Sequence, residues 1–140
     1  MGSHAILYPV FAQIALTFTL GMWTGILRVR ATTSREVRVK DIALHQPGWP
    51  AHVTKIGNCF RNQFESPVLF FAVVAFLLVS GKVDIVQITL SWAYVAARMV
   101  HAYIHTGTNI VPQRFLAYIT GMLVLLVMWV WFALQTFGVY

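Results

Sequence analysis

Four long apolar stretches constrain what this chain can fold into. They run from about Ala5 to Leu27, Phe64 to Ser80, Val83 to Ile104 and Phe115 to Phe137. A helix needs about 20 mainly apolar residues to cross ~30 Å of hydrocarbon, and each stretch nears that length if its helix extends slightly beyond it. Charged residues form only 10% of the chain, whereas a soluble domain carries about a quarter. The sequence therefore predicts an all-α integral membrane protein.

The fold class predicted from these stretches is a four-helix transmembrane bundle. One domain covers residues 1–140, with helices at about 5–29, 53–80, 83–106 and 112–137. The first stretch is not typical of a signal peptide, because it lacks a basic segment before it and Arg28 follows it. Only a short turn, Ser80–Asp84, separates the second and third predicted helices, so these two should be antiparallel neighbours.

The basic residues are concentrated in one polar segment, although the formal net charge is +6. Seven of them lie at or between the first two apolar stretches: Arg28, Arg30, Arg35, Arg38, Lys40, Lys55 and Arg61. This distribution is typical of a cytoplasmic loop beside anionic headgroups and argues against a nucleic-acid-binding patch. The second loop carries only Lys82, while Arg98 and Arg114 flank the third. Loops one and three are therefore predicted to be cytoplasmic, and their compactness indicates a bacterial inner-membrane protein.

Prolines and glycines mark the predicted interruptions of the helices. Pro47-Gly48-Trp49-Pro50 closes the first loop, and Trp49 suits a membrane interface. The segment Thr106–Asn109, followed by Pro112, separates the third and fourth helices. Within the second helix, Pro67 is predicted to introduce a kink that opens room near Glu65.

Polar side chains recur at helical spacing near the helix ends that face loops one and three. Residues three, four or seven apart share one face of an α-helix. This spacing aligns Arg61, Asn62 and Glu65 on the second helix, Arg98, His101 and His105 on the third, and Arg114 with Tyr118 on the fourth. Arg28 ends the first helix on the same side. The sequence thus predicts one polar layer at this side of an otherwise apolar bundle.

The predicted layer is strongly cationic, with Glu65 as its only acid. Ionisable groups inside a membrane are costly and usually face a cavity or a functional site. Arginines bind carboxylates through paired hydrogen bonds, and a carboxylate can hold an ammonium group. The layer therefore favours an anionic ligand that also carries an amine.

Structural and metal-binding interpretations of the same residues remain open at this point. Arg61 and Glu65 could form a structural ion pair, with Asn62 bonding across helices. The side chains of Arg98 and Arg114 could reach toward the interface. His101 and His105 have the spacing of a metal pair, with Glu65 as a possible third ligand, although neighbouring arginines disfavour a cation. Cys59, the single cysteine, is better explained as a small apolar residue than as a reactive thiol.

Short motifs occur in order along the predicted helices: Thr24-Gly25-Ile26-Leu27-Arg28-Val29-Arg30, Arg61-Asn62-Gln63-Phe64-Glu65, Arg98-Met99-Val100-His101, and Pro112-Gln113-Arg114 with Tyr118. Together they resemble the MAPEG family, the membrane-associated proteins of eicosanoid and glutathione metabolism. The resemblance covers nearly the whole chain. It implies a four-helix transmembrane bundle that assembles as a homotrimer.

The resemblance also implies a ligand and residue roles. Glutathione, as co-substrate, would bind between subunits near the cytoplasmic face, and a lipophilic substrate would reach it from the bilayer. Arg114 would be the catalytic residue, close to the sulfur and favouring the thiolate. The resemblance implies that the carboxylates or backbone of glutathione are held by Arg28, Arg61 and Arg98. Hydrogen bonds to the peptide would come from Asn62, Glu65, His101 and Tyr118. His105 stands at a position where the family has a tyrosine that contacts glutathione.

Three positions depart from the catalytic members of the family: Asn58 where many have an arginine, His105, and Phe115 where one branch has a serine. The leading hypothesis is a glutathione transferase or peroxidase-like enzyme acting on lipophilic substrates. The departures motivate a second hypothesis, a non-enzymatic scaffold of the same fold that binds lipid or a partner. A metal-dependent enzyme using His101 and His105 is the third.

Overall fold

The computed structural model describes residues 3–42 and 48–138, and all regular structure within them is helical. Five α-helices follow one another: α1 (Leu7–Thr33), α2 (Ala51–Arg61), α3 (Ser66–Ser80), α4 (Ile85–Thr106) and α5 (Val111–Thr136). Short 3₁₀ turns cover Ser3–Ile6, Val39–Asp41 and Asn62–Phe64. The predicted all-α fold is confirmed. Pro47, the first residue of the predicted Pro47-Gly48-Trp49-Pro50 segment, lies outside the described residues.

The second predicted helix is divided into α2 and α3. The interruption spans the 3₁₀ turn Asn62–Phe64 and Glu65, whose backbone lies at φ −95°, ψ −100°. A kink was expected at Pro67, but Pro67 instead belongs to the first turn of α3. Proline suits that place because the N–H it lacks has no intrahelical acceptor there. The break therefore precedes the proline.

Within the described residues, three segments are long and apolar enough to cross a membrane: His4–Thr33, Ala51–Ser80 and Val111–Thr136. The second of these contains both α2 and α3. At 22 residues, α4 is also long enough, since a helix rises roughly 1.5 Å per residue. However, polar residues interrupt its apolar sequence.

Those polar residues form one buried stripe along α4: Gln87, Ser91, Tyr94, Arg98, His101 and His105. Their spacing of four and three residues in alternation keeps them on a single face of the helix. Neighbouring helices supply partners along its length. Gln87 donates to the carbonyl of Met128 on α5 at 3.1 Å, and the hydroxyls of Tyr94 and Ser66 lie 2.9 Å apart. The stripe therefore faces the inside of the bundle.

The largest apolar cluster among the described residues lies in the half of the bundle that contains the α3–α4 turn. Phe70 is fully buried, and its ring stacks on that of Tyr94 with centroids 4.7 Å apart. Val73, Leu77 and Met128 surround this pair. Ser66 and Phe70 on α3 both contact Tyr94, and a short turn joins the two helices, so α3 and α4 run antiparallel. Their backbones approach each other less closely than predicted, because α3 packs mainly against α5.

Asp84 holds the α3–α4 turn against α5. One carboxylate oxygen accepts from the Gln87 N–H at 2.7 Å and caps α4. The other accepts from Trp131 Nε1 and from Gln135 Nε2, both at 2.9 Å. Lys82 adds a bond from Nζ to the Gln135 carbonyl at 2.8 Å. One side chain thus joins the start of α4 to the end of α5.

Replacing Asp84 with alanine is expected to lower the free energy of unfolding by about 2–3 kcal/mol. The estimate combines a lost helix cap with lost hydrogen bonds to a charged acceptor. Thermal unfolding in detergent provides the measurement. Asp41→Ala is the matched control, because that carboxylate is exposed and its only ion pair among the described residues is with exposed Arg38. Equal destabilisation by both variants would contradict the role of Asp84.

Candidate functional site

Arg98 is the most deeply buried cation among the described residues. It lies on α4 and is 1% exposed. Its Nη2 donates to both the backbone carbonyl of Asn62, at 3.1 Å, and the side-chain Oδ1 of Asn62, at 2.6 Å. Asn62 in turn donates from Nδ2 to Glu65 Oε2 at 2.8 Å. Arg98, Asn62 and Glu65 therefore form one continuous chain of polar contacts.

The helix break explains why Arg98 finds an acceptor here. In an unbroken α-helix, the Asn62 carbonyl would accept from the N–H of Ser66, four residues on. The 3₁₀ turn and the backbone of Glu65 leave it only a long bond from the Glu65 N–H, at 3.5 Å. The carbonyl is consequently available to the guanidinium on the neighbouring helix.

Two nitrogens of Arg98, Nε and Nη1, are buried without a hydrogen-bond partner among the described residues. Buried polar groups are normally paired, because an unpaired one costs free energy comparable to a lost hydrogen bond. A guanidinium carries five N–H donors and a fixed positive charge. The unpaired nitrogens of Arg98 are therefore suited to a carboxylate or another anionic acceptor.

His101 connects α4 to the first turn of α5. Its Nδ1 lies 3.0 Å from the backbone carbonyl of Arg114. A carbonyl can only accept, so Nδ1 carries the proton, and in the neutral ring Nε2 is an acceptor. Nε2 is buried without a partner among the described residues, as is Nδ1 of His105. The rings of His105 and Tyr118 lie 5.5 Å and 5.9 Å from that of His101.

Arg114 is half-buried, and its guanidinium is held from the loop before α5. Nη1 donates to Oδ1 of Asn109 at 2.6 Å. Asn109 has φ +54°, a left-handed conformation that asparagine tolerates better than most residues. The loop is also bound to α2, because Lys55 Nζ donates to the Gly107 carbonyl at 3.0 Å.

The remaining predicted site residues lie apart from these contacts. Arg28 was predicted to end the first helix, but α1 continues to Thr33, and Arg28 is exposed within its last two turns. Its guanidinium lies 5.2 Å from the ring centroid of Trp49. Arg61 is exposed at the end of α2. The possible ion pair between Arg61 and Glu65 is absent from the described part of the chain, where Glu65 instead accepts from Asn62.

No group of three or more His, Cys, Asp or Glu side chains within residues 3–42 and 48–138 could hold a metal ion. His101 and His105 stack edge to face, but no third ligand from those ranges joins them. A structural or catalytic zinc site needs at least three protein ligands.

The family comparison agrees with the order of these elements along the chain. The MAPEG family model matches residues 6–134, a range that contains every helix from α1 to α4 and nearly all of α5. The chain belongs to the MAPEG family. No curated protein and no solved structure matches it. As a MAPEG protein it is an integral membrane helical bundle in contact with lipid, from a family associated with glutathione-using members.

Beside the polar contacts, this MAPEG protein has a groove of about 360 Å³ between α4 and α5. Its walls are mostly apolar: Ala97, Val100, Ile104, Gln113, Leu116, Ala117 and Thr120. Gly121 lets the two helices approach closely next to the groove, because a Cβ added there would already contact the Ala97 Cβ at 3.6 Å. The groove opens on the outside of the two helices and suits an apolar chain.

Sequence reasoning missed Asn109 and Lys55, the residues that hold Arg114 and the loop before it. It also missed the buried pair in which Gln13 donates to Gln63 at 3.0 Å. An asparagine two residues before Val111-Pro112 is a signal for a turn at a helix start. The contacts of Lys55 and Gln13 join residues 50 or more positions apart, and no local pattern in the sequence indicates them.

Proposed function

We propose that this MAPEG protein is a glutathione-dependent transferase or peroxidase-like enzyme acting on lipophilic electrophiles. The observation that carries the proposal is Arg98, a buried guanidinium anchored to Asn62 through Nη2 while Nε and Nη1 have no partner among the described residues. Glutathione has two carboxylates, an ammonium group and a thiol. Its carboxylates match unpaired arginine donors, and its ammonium group matches a carboxylate.

Each predicted binding residue keeps a role consistent with its surroundings. The guanidinium groups of Arg28 and Arg61 are exposed and would bind a carboxylate of glutathione. The unpaired nitrogens of Arg98 would also bind a carboxylate. Glu65 is exposed and would pair with the ammonium group. The peptide of glutathione would bond with the polar groups of Asn62, His101, His105 and Tyr118, among which His101 Nε2 and His105 Nδ1 have no partner in the described chain.

Arg114 would stabilise the reacting sulfur. A nearby cation favours the thiolate over the thiol and supplies more nucleophile at neutral pH. In conjugation, the sulfur bonds to an electrophilic carbon as the leaving group departs. In hydroperoxide reduction, the sulfur attacks the terminal peroxide oxygen, so an S–O bond forms as the O–O bond breaks, and the released alkoxide takes up a proton to become an alcohol. A second glutathione then displaces the hydroxyl of the resulting sulfenic acid, which gives the disulfide and water. The apolar groove on α4 and α5 would hold the lipophilic substrate.

The same proposal includes an assembly and an orientation. The protein would form homotrimers, with loops one and three on the cytoplasmic side of a bacterial inner membrane. The positive charge of Arg30, Arg35, Arg38 and Lys40, all exposed in or beside the first loop, supports this orientation. Cytoplasmic glutathione would then reach the cationic end of the bundle directly.

Titrating the detergent-purified protein with glutathione tests the function. We expect saturable binding and an ultraviolet thiolate signal that grows with occupancy at neutral pH. S-methylglutathione is the control ligand: it should bind without the signal, because it has no ionisable thiol. If calorimetry detects no binding of glutathione at millimolar concentration, the enzymatic proposal is wrong.

A non-enzymatic lipid-binding scaffold is the second candidate. The apolar groove between α4 and α5 favours it, because its walls suit an acyl chain without any reacting group. This candidate predicts that the purified protein retains native lipid and gives no thiolate signal with glutathione. Mass spectrometry of lipids extracted from the protein, together with the titration above, separates the two candidates.

A further inference from the structure

We propose that Asn109 is a positioning residue that holds the Arg114 guanidinium in place for the glutathione thiolate. The inference rests on the proposed function, in which Arg114 faces the sulfur. It concerns a side chain outside the set predicted from the sequence. Its direct basis is the bond of 2.6 Å from Arg114 Nη1 to Asn109 Oδ1.

The acceptor end of this bond is fixed by the backbone around it. The N–H of Asn109 donates to the Ile104 carbonyl at 2.7 Å, and the N–H of Gly107 donates to the Tyr103 carbonyl at 3.0 Å. Lys55 bonds the same loop to α2 through the Gly107 carbonyl. Asn109 is therefore attached to the end of α4 and, through its loop, to a second helix.

The arginine end is fixed as well. The N–H of Arg114 donates to the Ile110 carbonyl at 3.0 Å, and its own carbonyl lies 3.0 Å from His101 Nδ1. Because the backbone of Arg114 is held through both its N–H and its carbonyl, only its long side chain can still move. The bond to Asn109 restricts that side chain. A group restricted before the substrate arrives loses less entropy when the substrate binds.

The chemistry of the acceptor matters for catalysis. A carboxylate at this position would hold the guanidinium equally well, but its negative charge would offset the field that favours a thiolate. The carboxamide of Asn109 is neutral, so Arg114 keeps its full positive charge. The bond occupies one of the five N–H donors of the guanidinium. Nε and Nη2 have no protein acceptor among the described residues and can face the sulfur.

The competing explanation is that Asn109 only shapes the loop, since its φ of +54° suits asparagine. Asn109→Gly separates the two explanations, because glycine adopts this backbone conformation without strain while removing the carboxamide. Thr108→Gly is the matched control, since it adds the same backbone freedom one residue earlier and leaves the acceptor intact. Arg114→Ala and the double variant with Asn109→Gly complete a mutant cycle.

The readout is the pH at which half of the bound glutathione is thiolate, followed by ultraviolet absorbance. We expect Asn109→Gly to raise this midpoint by roughly 0.5–1 unit, corresponding to a loss of about three- to tenfold in thiolate stabilisation. The control Thr108→Gly should leave the midpoint unchanged. In the Arg114→Ala background, Asn109→Gly should have no further effect, because the group it positions is gone.

The outcomes distinguish this inference from the proposed function. A wild-type protein that binds no glutathione, or shows no lowered midpoint, overturns both. If the wild type gives the signal but Asn109→Gly matches it, only the positioning role is wrong. A shift that persists in the Arg114→Ala background also overturns it, because the carboxamide would then act independently of the guanidinium.

Discussion

Replacing Arg114 with alanine is expected to lower glutathione-dependent turnover by roughly 10²–10³-fold, the usual loss when one preorganised donor to a developing anion is removed. The affinity for glutathione should change far less, because Arg98 and Glu65 remain to hold its charged groups. The thiolate signal at neutral pH should fall with the turnover. Single-turnover kinetics at saturating glutathione, combined with calorimetry, separates the chemical step from binding.

The control for Arg114 is a second arginine whose loss changes the charge equally. Arg38→Ala suits this purpose, since Arg38 is an exposed loop residue paired with Asp41. It should retain near wild-type turnover, because exposed charges are screened by salt. Undiminished turnover in Arg114→Ala would eliminate the catalytic role of this residue. A parallel loss in both variants would point to a general effect of net charge instead.

Replacing Phe70 with alanine is expected to cost about 3 kcal/mol of stability, at the lower end of the usual range for a buried phenylalanine. Phe70 is fully buried and stacks on Tyr94. The lower end is appropriate because lipid is as apolar as the core, so the loss comes from packing rather than from exposure to water. The substitution would leave a cavity beside the hydrogen bond between Ser66 and Tyr94, and this cavity would loosen the contact of α3 with α4.

Unfolding in mixed detergent micelles measures the effect of Phe70→Ala. Phe18→Ala is the matched control: the same atoms are removed from α1, where the side chain is 69% exposed. A change within about 0.5 kcal/mol is expected there, as for most surface substitutions. Loss of the same stability in both variants would show that the Phe70–Tyr94 contact does not stabilise the bundle.

The all-helical class and the approximate positions of the apolar segments could be predicted from the sequence, because both depend on local patterns. Apolar runs near 20 residues and the Pro and Gly residues between them identified the helical segments. The cap at Asp84 also follows a local signal, an acidic residue three positions before Gln87 at the start of an apolar run. The second helix was harder to define, since the break before Pro67 depends on the backbone at Glu65 as well as on the proline.

The candidate site was less predictable, because its contacts join distant parts of the chain. Helical spacing identified Arg98 and Asn62 separately, but their bond spans 36 residues and depends on the broken turn. Spacing also suggested that Arg61 faces Glu65, which requires a continuous helix between them. The 3₁₀ turn at Asn62–Phe64 changes the rotation per residue there, so the two side chains do not pair.

The polar stripe of α4 determines how this helix can sit among its neighbours. From Gln87 to His105 it extends over about 27 Å, at the rise of an α-helix. Rotating α4 by one residue, roughly 100°, would turn four of these side chains away from their partners on neighbouring segments together: Gln87, Tyr94, Arg98 and His101. In hydrocarbon each unsatisfied polar group costs several kcal/mol, so this alternative is excluded by hydrogen bonding alone. Apolar faces can slide past one another at little cost, whereas the stripe gives α4 a single orientation in the membrane.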